Sequence, residues 1–457
     1  MCVSDGVVAL HAAARSGDLA AVRALLADGV PAHAQADEDG TSALMHAAGG
    51  GHGEVVSALL EAGAPWNAID RRGRCAGNHA LDAGHQTVVD ALVDAATRAE
   101  LLLGAAQRGT KQAALAAEES QQYLSRGVRY DGDRLLDDAD DAVMMEWEAP
   151  LMEAHAARLC AGAGRASAVL NVGFGMGIVD RAIQAHGPAL HAIIEAHPGV
   201  HERMRADGWD AKQGVRLELC RWQDAIPRLV AEGVKFDGIF YDTYGEHDAD
   251  MQEFHSHLPA LLAPGGVYSF FNGLCPFNVF FQGVACAVIQ LELGALGLEV
   301  SFEPMAVDVK HGVGADAVGN PHGGGGGADE AGGQWEGVRR KYFYSDTYYL
   351  PHCVLARDGG EAGGGEAGGE APDLAVQFGP GQAAARGRAV IEDQRLGVGT
   401  GGEGGGEHGV QMGRPVGKAG HDPLPIVPFP AQRKVPGVTA RFPAPACCAA
   451  LLHVSGP

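Results

Sequence analysis

Three stretches of this sequence share one form, a short apolar run that passes straight into a loop carrying Gly, Glu or Asp. They are Ala168-Val-Leu-Asn-Val-Gly-Phe-Gly-Met-Gly177, His191-Ala-Ile-Ile-Glu-Ala-His197 and Phe236-Asp-Gly-Ile-Phe-Tyr-Asp-Thr-Tyr-Gly-Glu246. A run that is apolar on both faces reads as a strand of a parallel sheet covered by helices on either side. Comparable runs recur at 215–220, 266–272, 298–307 and 339–356, and helix-length connections fall at 177–186, 198–207, 223–232, 250–262 and 279–293. The alternation predicts an α/β fold built on a mostly parallel seven-stranded sheet with right-handed crossovers. In such open sheets ligands bind beyond the carboxyl ends of the strands, which is where the Gly, Glu and Asp loops of this chain fall.

With 457 residues the chain exceeds one compact domain, and its 68 glycines concentrate after residue 312. Residues 310–334, with Gly323-Gly-Gly-Gly-Gly327, interrupt the expected hairpin between the last two strands, and residues 358–457 are rich in Gly, Ala, Glu and Pro without periodicity. Neither segment carries enough apolar surface to offset the entropy of ordering it, so an inserted disordered loop and a disordered tail are expected.

Lys and Arg total 34 against 57 Asp and Glu, a formal net charge of -23, which disfavours direct nucleic-acid binding or an anionic membrane and suits a cationic partner. The nine cysteines show no Cys-x-x-Cys spacing, so reduced thiols are expected. His197, His247, His255 and His257 lack the spacing of a ligand set, and no metal is expected. The longest apolar stretch, 283–300, is broken by Gln290, Glu292 and glycines, and the amino terminus has no basic region followed by an apolar core. A cytoplasmic and/or nuclear location is the expectation.

The first hundred residues repeat. Ala9-Leu-His-Ala-Ala-Ala-Arg-Ser-Gly-Asp18, Ala43-Leu-Met-His-Ala-Ala-Gly-Gly-Gly-His52 and Ala76-Gly-Asn-His-Ala-Leu-Asp-Ala-Gly-His85 align, with His11 to His46 spaced by 35 residues and His46 to His79 by 33. A second helix succeeds each, ending in Gly29 and Gly63 in the first two. The segment resembles ankyrin repeats, without their usual Thr-Pro-Leu-His start and with a degenerate third copy. The resemblance implies an all-α ankyrin-like domain over 1–100, a docking surface with no titratable cluster for chemistry. Because about three repeats are the minimum for a self-supporting solenoid, this one is expected to lean on the domain after it. Residues 101–140 read as a helical connector, and 141–357 as the sheet-containing domain.

The turn Gly173-Phe-Gly-Met-Gly177 lets backbone approach a ligand, and Glu195, 22 residues beyond Gly173, is placed to hold ribose hydroxyls. Alone this pattern fits NAD, FAD and S-adenosyl-L-methionine equally. The ordered set Trp147-Glu-Ala-Pro-Leu-Met152, Gly173-Phe-Gly-Met-Gly-Ile-Val179, Glu195-Ala-His-Pro198, Arg221-Trp-Gln-Asp224, Tyr241-Asp-Thr-Tyr-Gly-Glu246 and Leu262-Ala-Pro-Gly-Gly-Val267 resembles the family that unites guanidinoacetate N-methyltransferase with the type IV protein arginine methyltransferases. The resemblance covers about 130–356 and implies a class I methyltransferase, Rossmann-like, using S-adenosyl-L-methionine. It further implies cofactor contacts at Tyr130, Met144, Phe174, Gly175, Met176, Gly177, Ile178, Val179, Glu195, Ala196, His197, Trp222, Gln223 and Asp242. The ankyrin-like repeats belong to the protein-modifying branch, whose acceptor is the internal δ nitrogen of arginine in a basic protein such as a ribosomal component.

The chemistry of that acceptor points to two residues independently. A guanidinium is cationic and poorly nucleophilic, with a pKa above ~12, so the enzyme must pair it, aim one nitrogen and remove a proton. Carboxylates match its planar fork of donors. Asp242, at the end of a strand, and Glu148, in the segment before the sheet, are the expected catalytic pair, Asp242 being the proton acceptor. Trp147, Tyr241 and Tyr244 offer π faces to the cations. A small-molecule guanidine methyltransferase, and an ankyrin scaffold without catalysis, remain alternative readings of the same residues.

Overall fold

The computed structural model describes residues 3–35, 38–107, 120–161, 167–246, 248–307, 335–339, 341–343 and 345–356. The expected insert at 310–334 and tail at 358–457 lie outside the described residues, save that 335–339 resume beyond the insert.

The amino-terminal region is three helix pairs, α1 (Val3–Ser16) with α2 (Leu19–Ala27), α3 (Ala43–Gly49) with α4 (Gly53–Glu61), and α5 (Ala76–Asp82) with α6 (Gln86–Gln107). Gly17, Gly51 and Gly84 turn each pair at φ of +74°, +72° and +74°. At the first two of these turns the repeats interlock. The His52 ring lies against Gly17 and the His85 ring against Gly51, so closely that a Cβ would come within 2.6 Å and 2.7 Å of the respective Nδ1 atoms. His52 Nε2 also lies 3.1 Å from the Arg15 carbonyl oxygen. The Gly-His pairs of the sequence repeat are thus contacts between successive copies.

Residues 120–125 are helical, and then the expected helical connector ends early. A three-stranded antiparallel sheet takes its place: β1 (Val128–Asp131), β2 (Arg134–Asp137) and β3 (Ala142–Met145). The β1–β2 turn runs through Gly132 at φ +62°. Four-residue strands bearing charges at or near their ends carry too little alternation to stand out from helical sequence, which is why 128–137 reads as connector.

After α7 (Ala149–Cys160) comes the large sheet, β4 (Ala168–Val172), β5 (Leu190–Ile194), β6 (Val215–Glu218), β7 (Phe236–Tyr241), β8 (Leu262–Phe270), β9 (Leu298–Ala306) and β10 (Thr347–Leu355). The helices between them are α8 (Ile178–Ala185), α9 (Pro198–Ala206), α10 (Trp222–Ala231), α11 (Asp248–His255), α12 (Leu258–Leu261) and α13 (Val279–Ala295). The spatial order is β6-β5-β4-β7-β8-β10-β9, with only β10 antiparallel to its neighbours. This is the mostly parallel seven-stranded, Rossmann-like sheet that the apolar runs predict. Order reverses between β4 and β7, which leaves a crevice at their carboxyl ends. In register, Val172 lies beside Ile194 on one side and Tyr241 on the other, so the residues that leave the sheet together there are Gly173, Glu195 and Asp242.

The two modules share a core. Phe280, Phe281, Val284 and Val288 of α13 are buried in the same cluster as Leu44, Val56, Ala80 and Leu92 of the repeats. Burying each large apolar side chain contributes about 1.5–3 kcal/mol, which supplies the support expected for a short solenoid. No helix among the described residues is long and apolar enough to cross a membrane.

Candidate active site

A cavity of about 440 Å³ opens at the carboxyl ends of β4, β5 and β7. Its volume lies within the usual range for a small-molecule site. Among the described residues no group of three His, Cys, Asp or Glu is placed to hold a metal ion.

One side of the cavity is built on the glycine turn. Gly173 takes φ +97°, and a Cβ on it would overlap the carbonyl oxygen of Asp242. Only glycine lets the ends of β4 and β7 approach so closely, and the Asp242 N–H donates to the Val172 carbonyl at 2.9 Å. Asn171 braces the turn from below, its Nδ2 donating to the Gly173 carbonyl at 2.8 Å and to Asp180 Oδ1 at 2.9 Å. Gly177, at φ +70°, starts α8. Glu195 faces the turn: Oε2 accepts from the Phe174 N–H at 2.9 Å and Oε1 from the His197 N–H at 2.6 Å. The Gly175 N–H also reaches Oε2, at 3.4 Å, so of about four acceptor sites these bonds orient Glu195 and leave room on Oε1 for a ligand hydroxyl.

Farther along, Glu246 accepts from Trp222 Nε1 at 2.9 Å, Gln223 Nε2 at 3.2 Å and Tyr241 Oη at 2.7 Å. Gln223 Oε1 is buried with no hydrogen-bond partner among the described residues. An acceptor left open beside the buried Trp222 ring fits an adenine, which offers an aromatic face and an exocyclic amine. The glycine turn, Glu195 and this corner therefore suit S-adenosyl-L-methionine, with Gln223, Trp222 and Glu195 the residues that would hold it.

On the other side stand the two carboxyls. Glu148 ends a 3₁₀ turn (Glu146–Glu148) that leads into α7, is 3% exposed, and accepts from the Met145 N–H at 2.9 Å and from the Tyr342 hydroxyl. Burial raises its pKa well above the ordinary carboxylate range, and repulsion from Asp242 raises it further. Burial raises Asp242 as well. A buried acid beside a half-buried one, both with raised affinity for protons, suits a cation with several N–H donors.

Of the residues named from sequence, Met144, Glu148, Gly175, Glu195, Ala196, Trp222 and Asp242 line the cavity. Tyr130 and Met176 stand behind the turn: Tyr130 Oη donates to the Gly175 carbonyl at 2.9 Å, and the Met176 N–H points at Met144 Sδ at 3.2 Å. Phe174, Ile178 and Val179 are expected cofactor contacts whose side chains instead fill the core beneath. Phe174 is turned inward between left-handed glycines while Ile178 and Val179 open α8 on its core face, and Gly173 and Gly175 are left to face the cavity. His197 is likewise behind the wall, with Nδ1 accepting from the Gly199 N–H at 3.1 Å and its ring 4.9 Å from that of Tyr123. Of the three aromatics, Tyr244 lines the cavity, Tyr241 packs on Phe254 at 4.7 Å, and Trp147 sits among Tyr342, Phe343 and Trp335 at 5.9, 5.4 and 6.1 Å.

Several wall residues escape sequence reasoning. Tyr123, from the connector, meets Tyr244 at 4.8 Å; Arg221, Phe271, Gly273 and Tyr342 are also among the lining residues. Arg221 adjoins the Trp222-Gln223 pair in its motif, and that adjacency is the signal that marks it. Nothing in the local pattern marks Tyr342, which reaches Glu148 from 194 residues away in sequence.

The ankyrin repeat family model (3 copies) matches residues 10–101 and that of guanidinoacetate N-methyltransferase matches 118–281. Among curated proteins, protein arginine N-methyltransferase 2 of Yarrowia lipolytica is 38% identical over 52% of this chain and 48% of its own length. That of Saccharomyces cerevisiae is 34% identical over 52% of this chain and 54% of its own. For these two the chain spans about half the length of the relative. The protein of the same name from Aspergillus oryzae is 34% identical over 341 residues, 65% of this chain and 77% of that protein. A match of that extent shows that this chain belongs to the family of the fungal protein arginine N-methyltransferase 2 proteins.

Proposed function

We propose that this protein is an S-adenosyl-L-methionine-dependent arginine N-methyltransferase that modifies the internal δ nitrogen of arginine in a basic protein, such as a ribosomal component, in the cytoplasm or nucleus. The observation that carries the reading is the pairing, in one cavity, of the acids Glu148 and Asp242 with the glycine turn and Glu195. Family membership supports the activity; the δ position and the ribosomal target rest on the resemblance of the motifs.

The cofactor supplies a sulfonium methyl, whose transfer forms an N–C bond as the S–C bond breaks. The chain's own residues do the rest. Glu148, oriented by Tyr342 and the Met145 N–H, accepts hydrogen bonds from the guanidinium and fixes its plane. Asp242, held against the glycine turn by its backbone, takes the proton released from the attacking nitrogen. Its raised pKa makes it a better base than an exposed carboxylate. Holding acceptor and donor in line supplies the proximity term.

Fragment-ion mass spectrometry of the product after incubation with labelled cofactor and a ribosomal extract tests the proposal. Label on the δ nitrogen of protein arginine is expected; label on a terminal nitrogen overturns the regiochemistry. The guanidinoacetate family match keeps a small guanidine as the second reading, and label confined to added guanidinoacetate would establish it.

A further inference from the structure

The ankyrin array reaches the active site through one short segment. Beyond β8, Phe271 and Gly273 stand on the cavity wall. Phe271 also packs in the aromatic cluster with Trp147 and Tyr342, beside Glu148, so this is the acceptor side. From Cys275 the chain enters the ankyrin core, which holds Cys275, Phe280 and Phe281 while Phe277 stays exposed. Between the two, Cys275 takes φ +46°, a left-handed value that costs energy for a residue with a side chain and persists only where surrounding contacts impose it.

Asn278, whose N–H donates to the Cys275 carbonyl at 3.1 Å, ties this segment to the third repeat. Its Oδ1 accepts from the Phe280 and Phe281 N–H groups at 3.0 and 3.2 Å and caps α13. Its Nδ2 donates to Asn78 Oδ1 at 2.8 Å and to the Gly73 carbonyl at 3.4 Å, both in the third repeat. The Phe280 ring covers Gly77, where any Cβ would overlap it, and Phe281 meets Trp66 edge-on at 5.8 Å. In the aligned repeats the positions of Gly77 and Asn78 hold Leu10 and His11, then Leu44 and Met45. The third repeat departs from its siblings where the catalytic domain docks.

We propose that the third ankyrin repeat is a clamp holding residues 271–278 as the acceptor-side wall of the active site, so that Asn278 and Phe280 are positioning residues for the methyl acceptor. The inference rests on the arginine-methylation reading for what the wall positions, but the clamp itself is a property of the chain. A wall displaced by about 1 Å is enough to lower turnover by up to ~100-fold.

Asn278→Asp is the informative variant. It keeps an acceptor at the cap of α13, where a carboxylate is favoured, while it loses both donors and sets a negative oxygen against Asn78 Oδ1 and the Gly73 carbonyl. In the full-length protein, affinity for S-adenosylhomocysteine should stay within about twofold, while kcat/KM for an arginine-rich peptide falls about tenfold or more. Backbone hydrogen exchange across 271–278 should quicken. Gly77→Ala should reproduce the pattern if Asn278→Asp fails to fold, with Phe280→Leu in the same chain restoring part of the loss. Unchanged exchange in 271–278 overturns the clamp whatever the turnover, as does a parallel fall in cofactor affinity and acceptor kinetics. Faster exchange in the variant of a protein whose wild type methylates no arginine would sink the arginine reading and leave the clamp standing.

Discussion

Asp242 and Glu148 are legible as residues because each sits inside a motif and because a guanidinium demands carboxylates. Their raised proton affinity is not, since it comes from burial and, for Glu148, from the charge of Asp242 as well. Two neighbouring acids with raised proton affinity share a proton, and an arriving guanidinium displaces it. Acceptor binding should therefore release about one proton per site and tighten as pH rises from about 6 to about 8. Calorimetry of an arginine peptide in buffers of different ionisation enthalpy checks this, and an enthalpy independent of buffer would contradict it. Asp242→Asn keeps the shape and the backbone bond to Val172 while removing the base; kcat should fall about 10²–10⁴-fold, with the affinity for S-adenosylhomocysteine within a few fold. Initial rates beside calorimetry separate the two effects. Tyr342 and Tyr123 are illegible because their role is conferred by segments that meet only in the folded chain.

At the level of elements, the parallel strands and the glycine turn arise from local pattern, because a strand covered on both faces must be continuously apolar. The β1–β3 sheet is hidden, its strands being short and its first turn carried by a single left-handed glycine. The turn after β4 makes a sharp prediction. Gly173→Ala must put a Cβ both at φ +97° and into the Asp242 carbonyl, so the ends of β4 and β7 have to separate. Cofactor affinity should drop at least ~10-fold, because a non-glycine residue in the left-handed region already costs about 1–2 kcal/mol before the overlap is counted. Gly233→Ala, at φ +73° with open space around it, carries the conformational cost alone and should leave cofactor affinity unchanged. Titration of both variants with S-adenosylhomocysteine compares them, and equal losses would contradict the close-approach argument.

For the molecule as a whole, the helix of the ankyrin array that packs on α13 carries a titratable fault. Glu100 on α6 is 2% exposed, and its Oε1 has no hydrogen-bond partner among the described residues. Burial pushes its pKa to about 7 from 4.5. With the folded value raised, the folded state binds the extra proton between those two values, so the penalty of the buried charge is absent below about pH 4.5 and grows until about pH 7. Glu100→Gln should accordingly raise the melting temperature by a few degrees at about pH 8 and change little at about pH 4.5. Melting curves at the two pH values check it; equal shifts at both would point to packing instead of charge.

The sequence by itself determined the repeat period, the order of strands and turns, and the residue types brought to each loop, because periodicity and glycine placement are local consequences of which backbone shapes and faces are allowed. It did not determine what each buried face is buried against. The in-register exit of Gly173, Glu195 and Asp242, the meeting of Glu148 with Tyr342, and the fusion of α13 with the ankyrin core were decided only by tertiary packing. An apolar stripe states that it must leave water, and any surface of complementary shape satisfies it until the whole chain has folded and one remains.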